Sequence, residues 1–190
     1  MSEIIHTSST ATVGVIMPVY NEELWLDAIL ERVLARPEVT QIVAVDDGSS
    51  DGSWRKLEEW NERELRLRII RHENNQGKGA AIQTGLKEIS APLVLIQDAD
   101  LEYSPSDYPK LLEPILHDHA DVVYGSRFSA GRNGNPRWHT FGNRAITWVL
   151  NRMTGLRLSD GFTCYKLFPS ELDLYWKKWT GDSLRKRIEK

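Results

Sequence analysis

The chain has 190 residues, 41% hydrophobic and 27% charged, and its 24 Lys and Arg against 27 Asp and Glu give a net charge of −3. That balance argues against a non-specific nucleic-acid binder, which carries a basic stripe. One cysteine, Cys164, excludes an internal disulfide framework and a cysteine-based zinc site, and suits a reducing cytoplasm. No apolar run approaches the roughly 18 residues of a membrane-spanning helix. Met1–Thr10 lacks a basic stretch followed by an apolar one, so it does not read as a secretory signal. With no linker and no internal repeat, residues 1–190 read as one domain.

Strand, loop and helix alternate along the chain. Thr12–Met17 (TVGVIM) is a short apolar run closed by Pro18 and reads as a buried strand. Asn21 is placed to cap the next helix, with Glu22 and Glu23 in its first turn, where carboxylates suit the helix dipole. Trp25, Ile29 and Val33 follow at i, i+4 spacing beside Leu26, Leu30 and Leu34, and Pro37 ends that helix. Gln41–Val45 is a second strand, Asp46–Ser53 a loop, and Trp54, Leu57 and Asn61 open another helix. Leu67–Arg71 alternates as a third strand. Past the polar segment His72–Gly77, the stretch Gly79–Ile89 is helical, with Ile82, Leu86 and Ile89 on one face. Leu93–Ile96 is a fourth strand, ending at Gln97-Asp98-Ala99-Asp100. Pro105 sits where a helix begins, with Tyr108, Leu111, Leu112 and Ile115 as its apolar face. Asp121–Tyr124 is a fifth strand, and a Gly- and Asn-rich loop over Ser129–Arg137 precedes a helix over Phe141–Met153. Trp25, Trp54 and Trp148 fit helix faces as core residues. Trp176 and Trp179, with Tyr175, Lys177 and Lys178, form an aromatic-basic patch suited to a membrane interface or to packing on the domain.

Apolar strands alternating with helices imply an α/β fold: a mostly parallel central sheet with helices on both faces. Ligands bind such sheets outside the carboxyl ends of the strands. Four polar clusters fall there: Tyr20-Asn21-Glu22, Asp46-Asp47, Asp98-Ala99-Asp100 and Ser126-Arg127.

Asp98 and Asp100 sit one residue apart after a buried strand, so an extended segment presents both carboxylates to one side. Such a pair attracts a hard cation, Mg²⁺ or Mn²⁺, which keeps water and substrate phosphates as further ligands. A phosphatase with an aspartyl nucleophile also begins with this pattern, though usually with a Thr soon after; here Leu101-Glu102-Tyr103 follows. The loop from Asp46 to Gly52 holds three carboxylates among glycines, which suits a nucleobase or ribose and equally suits turns and helix capping. Gly77-Lys78-Gly79 opens a helix and offers free N–H groups and an ammonium to an anion, but it is neither a dinucleotide fingerprint nor a Walker A loop. Arg127, just past a strand, is placed to neutralise a diphosphate, and Arg132, Arg137 and Arg144 follow it. Asp160 is a candidate general base or a turn cap. The five histidines show no metal-binding spacing, and Cys164 reads as a packed small apolar residue.

Five segments in order resemble the family 2 inverting glycosyltransferases, and most closely the dolichol-phosphate and polyprenyl-phosphate mannosyl- and glucosyltransferases. They are Pro18-Val19-Tyr20-Asn21-Glu22, Val45–Ser53, Asn75–Gly79, Gln97–Glu102 and Gly125-Ser126-Arg127-Phe128, within a match over roughly residues 12–168. The resemblance implies a GT-A fold and a nucleotide-diphospho-sugar donor, UDP- or GDP-linked. It implies that Pro18, Tyr20, Glu22 and Asp47 hold the nucleoside, with Asn21, Asp46, Gly48, Gly77, Lys78, Asp98 and Ala99 completing the nucleotide-sugar site. Asp98 and Asp100 would carry Mg²⁺ or Mn²⁺ on the diphosphate. Arg127 would meet donor or acceptor phosphate, Arg137 would serve the acceptor phosphate, and Asp160 matches the acidic position of a D-x-x-T-C-Y-K segment. The implied partners are the nucleotide sugar and a lipid-phosphate acceptor met peripherally at the cytoplasmic face of a membrane, with no nucleic acid.

The family usually continues after Phe168 with a glycine-phenylalanine-acidic segment, a further strand and membrane-directed helices. Here Leu172-Asp173-Leu174-Tyr175-Trp176 and the basic Arg185-Lys186-Arg187 stand instead, so the acceptor part is expected to be short. A nucleotide-sugar-binding module or partner subunit without turnover is the alternative expectation.

Overall fold

The computed structural model describes residues 12–117, 119–125, 152, 164–171 and 188–189. The chain forms two compact units, Met1–Ser106 and Asp107–Lys190.

The first unit contains β1 (Val13–Val19), α1 (Leu26–Leu34), β2 (Val39–Asp46), α2 (Ser53–Asn61), β3 (Leu67–Arg71), α3 (Lys78–Leu86) and β4 (Leu93–Ile96). Its strands lie in the order β3-β2-β1-β4 and pair in parallel. Val13, Val15, Ile16, Met17 and Val19 are all buried, as are Ile42 to Val45. Both pleat faces of β1 and β2 are therefore covered, which is why these strands read as unbroken apolar runs.

The strand order reverses once. The chain steps from β1 to β2 to β3 in one direction, then crosses back over the sheet to β4. Right-handed crossovers then put α1 and α2 on one face and α3 on the other. An indole bond from Trp60 of α2 to Asp27 of α1 (2.8 Å) ties the first pair together, and Ala81 of α3 packs with Val43 and Val45 on the opposite face. The reversal makes the carboxyl ends of β1 and β4 the topological switch point, where α/β sheets open a crevice.

Five expectations are corrected in this unit. Pro18 does not close β1 but lies within it, paired in register with Val45 of β2. The Gln97 N–H donates to the Ile16 carbonyl, and the Asp47 N–H to that of Val19. By strand alternation the Pro18 nitrogen therefore faces the β4 side, beyond the last β1–β4 pair, Ile16–Ile96, where a residue without an N–H is tolerated. Next, α1 begins at Leu26, not after Asn21. Asn21 has φ 56°, a left-handed conformation that turns the chain away from a helix. Trp25 occupies the N-cap position and is 47% exposed, while Leu26, Ile29, Leu30 and Val33 form the buried stripe. The tryptophan that α2 buries is Trp60; Trp54 is half-buried, with the Arg71 guanidinium 5.2 Å from its ring centre. Last, α3 buries Ala81 and Gly85, whereas Leu86 is 38% exposed. A Cβ on Gly85 would stand 2.6 Å from Ile16 Cγ2, so this helix lies on β1 by its backbone rather than by large side chains.

A 3₁₀ turn (Pro105–Asp107) spans the boundary between the units; in the second unit, α4 (Tyr108–Leu116) buries the four residues its spacing predicts, Tyr108, Leu111, Leu112 and Ile115. β5 (Val122–Tyr124) pairs antiparallel with β6 (Lys166–Pro169) and parallel with β7 (Ile188–Glu189). β6 was not expected from the sequence: four residues ending in a proline carry little periodicity. Gly125 donates its N–H to the Tyr165 carbonyl (2.9 Å), and a Cβ there would stand 2.8 Å from Tyr165 Cβ. Cys164 is buried as expected, and the Tyr108 and Tyr165 rings meet edge to face at 5.8 Å. No described helix is long and apolar enough to cross a membrane. Of the expected helix Phe141–Met153 only Arg152 is described, and Trp148, Trp176 and Trp179 lie outside the described residues.

Candidate functional site

The segment after β1 is held by side chain to backbone bonds from the loop after β2. The Asn21 N–H donates to Ser49 Oγ (3.0 Å), the Glu22 N–H to Ser53 Oγ (2.9 Å) and the Glu23 N–H to Asp51 Oδ2 (3.1 Å). In return, Asn21 Oδ1 accepts the Ser50 N–H (2.8 Å) and Glu23 Oε2 accepts that of Gly52 (3.0 Å). Short polar side chains offer the backbone these bonds in place of a helical turn. Here they keep residues 21–23 out of a helical turn and leave Glu22 on a pocket wall.

The two aspartates at the end of β2 do different work. Asp46 is wholly buried. Its Oδ2 accepts from Arg71 Nε (3.2 Å) and the Ser49 N–H (3.3 Å), while its Oδ1 has no hydrogen-bond partner. Asp47 is 3% exposed and gathers the loop after β3. Its Oδ1 accepts the Gln76 N–H (3.0 Å), its Oδ2 accepts the Gly77 N–H (2.7 Å), and His72 Nδ1 lies 2.7 Å from Oδ1. Burial by itself would raise the Asp47 carboxyl; the bonds from Gln76, His72 and Gly77 outweigh it and hold the group below the usual aspartate value. Gly48, at φ 73°, lets the chain turn under that loop, where a Cβ would stand 2.8 Å from the Asn74 carbonyl carbon.

At the switch point these segments surround a pocket of about 300 Å³, within the range of small-molecule sites. Pro18, Tyr20 and Glu22 come from the end of β1, and Asp47 from the end of β2. Gly77 and Lys78 come from the start of α3, and Asp98, Ala99 and Asp100 from the end of β4. The Lys78 ammonium contacts Asp98 Oδ1. Asp100 Oδ1 accepts the Glu102 N–H (2.9 Å). Burial pushes the Asp100 carboxyl up, with Asp98 adding to the rise and the Glu102 N–H and Lys78 opposing it. Glu22 is raised by burial first, then by the charges of Asp100, Asp98 and Asp51.

Glu22, Asp98 and Asp100 bring three carboxyl groups to this pocket, a concentration of negative charge that suits a cation. Among the described residues no group of three or more His, Cys, Asp and Glu is arranged to hold an ion. What the pocket offers is the pair Asp98 and Asp100 on an open wall. That donor set fits a hard divalent ion that completes its shell with water and ligand phosphates. A larger open groove, about 570 Å³, lies at the amino-terminal ends of the strands beside Gln41, Arg66 and Arg68. Its polar groups are engaged within the protein: Gln41 with Glu88 and Ser90, Arg66 with Glu64 and Arg68 with Glu88.

Thus nine of the expected residues line one pocket. Asn21, Asp46 and Gly48 are not on its wall; their bonds and turns shape the loops behind it. Arg127, Arg137 and Asp160 lie outside the described residues. Asn75 also lines the pocket, and His72 buttresses it. An Asn in a polar loop and a lone His carry no spacing signal that would single them out.

The model of the family described as "Glycosyl transferase family 2" matches residues 14–174. A dolichol-phosphate mannosyltransferase of Pyrococcus furiosus is 35% identical over 121 residues, 63% of this chain and 34% of that protein. The dolichol-phosphate mannosyltransferase of Saccharomyces cerevisiae is 34% identical over 130 residues, 66% of this chain and 48% of its own length. This chain thus spans about a third to a half of these two curated relatives. Among solved structures, a mannosyltransferase from Pyrobaculum calidifontis in complex with GDP-Man and Mn²⁺ shares 25% identity at a TM-score of 0.55, covering 63% of this chain and 36% of that one. Glucosyl-3-phosphoglycerate synthase from Mycobacterium tuberculosis, at 19% identity, matches in fold with a TM-score of 0.70 over 94% of this chain and 67% of that one. The expected GT-A-type α/β fold is borne out, and the chain belongs to glycosyl transferase family 2.

Proposed function

We propose that this chain is the catalytic domain, spanning residues 1–190, of a transferase that moves a hexose from a UDP- or GDP-linked sugar to a polyprenyl or dolichyl phosphate, with inversion. The observation that carries the reading is the convergence of Glu22, Asp47, Lys78, Asp98 and Asp100 on one pocket at the switch point of the sheet. The relatives named dolichol-phosphate mannosyltransferases and the neighbour holding GDP-Man and Mn²⁺ support it.

In this reading Tyr20, 47% exposed at the rim, and Asp47 receive the nucleoside. The Asp47 Oδ2, which accepts one amide within the protein, keeps acceptor capacity for a ligand N–H. Lys78 and the amino-terminal turn of α3 face the diphosphate. Asp98 and Asp100 hold Mg²⁺ or Mn²⁺, which when bound supplies positive charge against the leaving nucleoside diphosphate. Arg127 and Arg137 meet phosphate on the acceptor side, and Asp160 orients or deprotonates the acceptor. A lipid phosphate is already anionic at neutral pH, so positioning matters more than a strong base. The domain works in the cytoplasm, peripherally at the membrane that holds its acceptor.

The test is a thermal-shift and calorimetry panel of UDP, GDP, CDP and dTDP and their sugars, with Mn²⁺, Mg²⁺ or EDTA, on the wild type and Asp98→Ala. A shift with one nucleotide that needs metal and is lost in Asp98→Ala supports the reading; at a hundred times its dissociation constant a ligand stabilises by about 2.7 kcal/mol. Transfer to polyprenyl phosphate is then measured directly. No shift with any nucleotide overturns the reading. Tight binding without transfer to any lipid phosphate makes the chain a donor-binding module.

A further inference from the structure

His72 is the buried titratable group beside the pocket that the reading above does not use. Its side chain is 9% exposed, and it stands between two polar partners: Nδ1 is 2.7 Å from Asp47 Oδ1, and Nε2 is 2.9 Å from Thr84 Oγ1 in α3. Its own N–H donates to the Asp46 carbonyl (2.8 Å), which fixes the ring's point of departure at the end of β3. An ionised carboxylate only accepts, so the proton sits on Nδ1. The Nε2 lone pair is then free to accept the Thr84 hydroxyl proton, and a neutral imidazole satisfies both ends at once.

The chain of bonds does not stop at Asp47. The same carboxylate takes the Gln76 and Gly77 amides, and the next residue, Lys78, reaches Asp98. The side chains of residues 73–76 are exposed, so backbone bonds carry much of the order in this loop. They include the two amide bonds to Asp47, a local one from the Gly77 N–H to Asn75 Oδ1 (3.1 Å), and those from the Ala80 and Ala81 N–H groups to the Gly77 carbonyl. Without the imidazole, the Asp47 side chain loses its one side-chain donor and is free to turn about its χ angles, carrying both amides with it.

We propose that His72 is a positioning residue of the nucleotide-sugar site: it locks the Asp47 carboxylate that gathers Gln76 and Gly77, and so sets where the start of α3 and Lys78 meet the ligand. The ligand class rests on the function proposed above; the locking of the turn does not. The residue touches no ligand itself, so its loss raises the KM for the sugar donor and leaves kcat nearly unchanged.

The experiment compares wild type with His72→Ala, His72→Asn and Thr84→Val in three readouts. These are amide hydrogen exchange at Gln76 and Gly77 without ligand, calorimetric affinity for UDP and GDP with Mn²⁺, and KM and kcat for the sugar donor. Asn places an N–H near the position of the imidazole Nδ1 and keeps the bond to Asp47, so it serves as the conservative rescue. Loss of one hydrogen bond to a charged group predicts roughly tenfold faster exchange and roughly tenfold weaker diphosphate binding in His72→Ala, with most of both recovered in His72→Asn. Should His72→Ala fail to fold, Thr84→Val keeps the ring and removes only its far anchor, and a smaller change in the same direction is expected. Wild-type exchange and affinity in His72→Ala, or in Thr84→Val where that variant replaces it, overturn the proposal, as does a His72→Asn as impaired as His72→Ala. A wild-type protein that binds neither diphosphate overturns the ligand reading instead, and the exchange data still decide whether His72 holds the turn.

Discussion

Lys78, in the first turn of α3, pairs with Asp98, at the end of β4. The ammonium is half-exposed, so the pair contributes under about 1 kcal/mol to folding. Lys78→Met is therefore expected to melt near wild type. Its effect falls on ligands: nucleoside diphosphate binds about tenfold more weakly for want of a charge-assisted contact. Mn²⁺ without nucleotide binds more tightly, because Asp98 has lost its internal cation. Calorimetry of each ligand separately checks both signs, and weaker Mn²⁺ binding would refute the pairing.

Gly48 and Gly77 both have positive φ, 73° and 90°, but only Gly48 has backbone atoms within 3 Å of where a Cβ would go. Gly77→Ala is expected to lose about 1–3 kcal/mol from conformation alone. Gly48→Ala must also displace Asn74 and Asn75, so it loses more. Urea unfolding ranks the two, and the reverse order would show that the loop after β3 yields easily.

Asn21 is expected to separate conformation from hydrogen bonding. Asn21→Gly keeps the left-handed turn and loses the bond to the Ser50 N–H (2.8 Å), at about 1 kcal/mol. Asn21→Ala loses both, adding about 1–2 kcal/mol. Equal melting temperatures for the two variants would mean that the backbone conformation carries no strain.

The Asp47 carboxyl, held below its usual value despite burial, links folding to pH. A depressed folded value adds stability that is complete above about pH 5, beyond the unfolded value, and is lost as pH falls through the folded one. Urea midpoints from pH 7 down to 3 should fall less steeply for Asp47→Asn than for wild type. Parallel curves would indicate that the carboxylate gains nothing from its three donors.

Much of this was legible beforehand. Leu67–Arg71 and Leu93–Ile96 form strands over those same residues, because a turn or a charged loop bounds each apolar run. Helix α4 buries the four side chains its 3.6-residue period picks out. Periodicity failed where small residues or loop bonds decide. It placed Leu86 inward, but α3 approaches β1 so closely at Gly85 and Ile16 that no large side chain fits between. It started α1 at Asn21, because Glu22 and Glu23 look like a first turn; Ser49, Ser53 and Asp51 take the Asn21, Glu22 and Glu23 amides instead. The pocket's carboxylates were readable because each follows a strand, whereas His72 acts through Asp47 and is visible only in three dimensions.

Pro18 has a consequence for ligand entry. Any other residue at that place in β1 would bring an N–H toward the Gln97 carbonyl and zip β1 to β4 one step further. A single missing hydrogen atom thus ends the pairing of two neighbouring strands at Ile16–Ile96, and the chain beyond Gln97 leaves the ladder to carry Asp98 and Asp100 to the pocket wall.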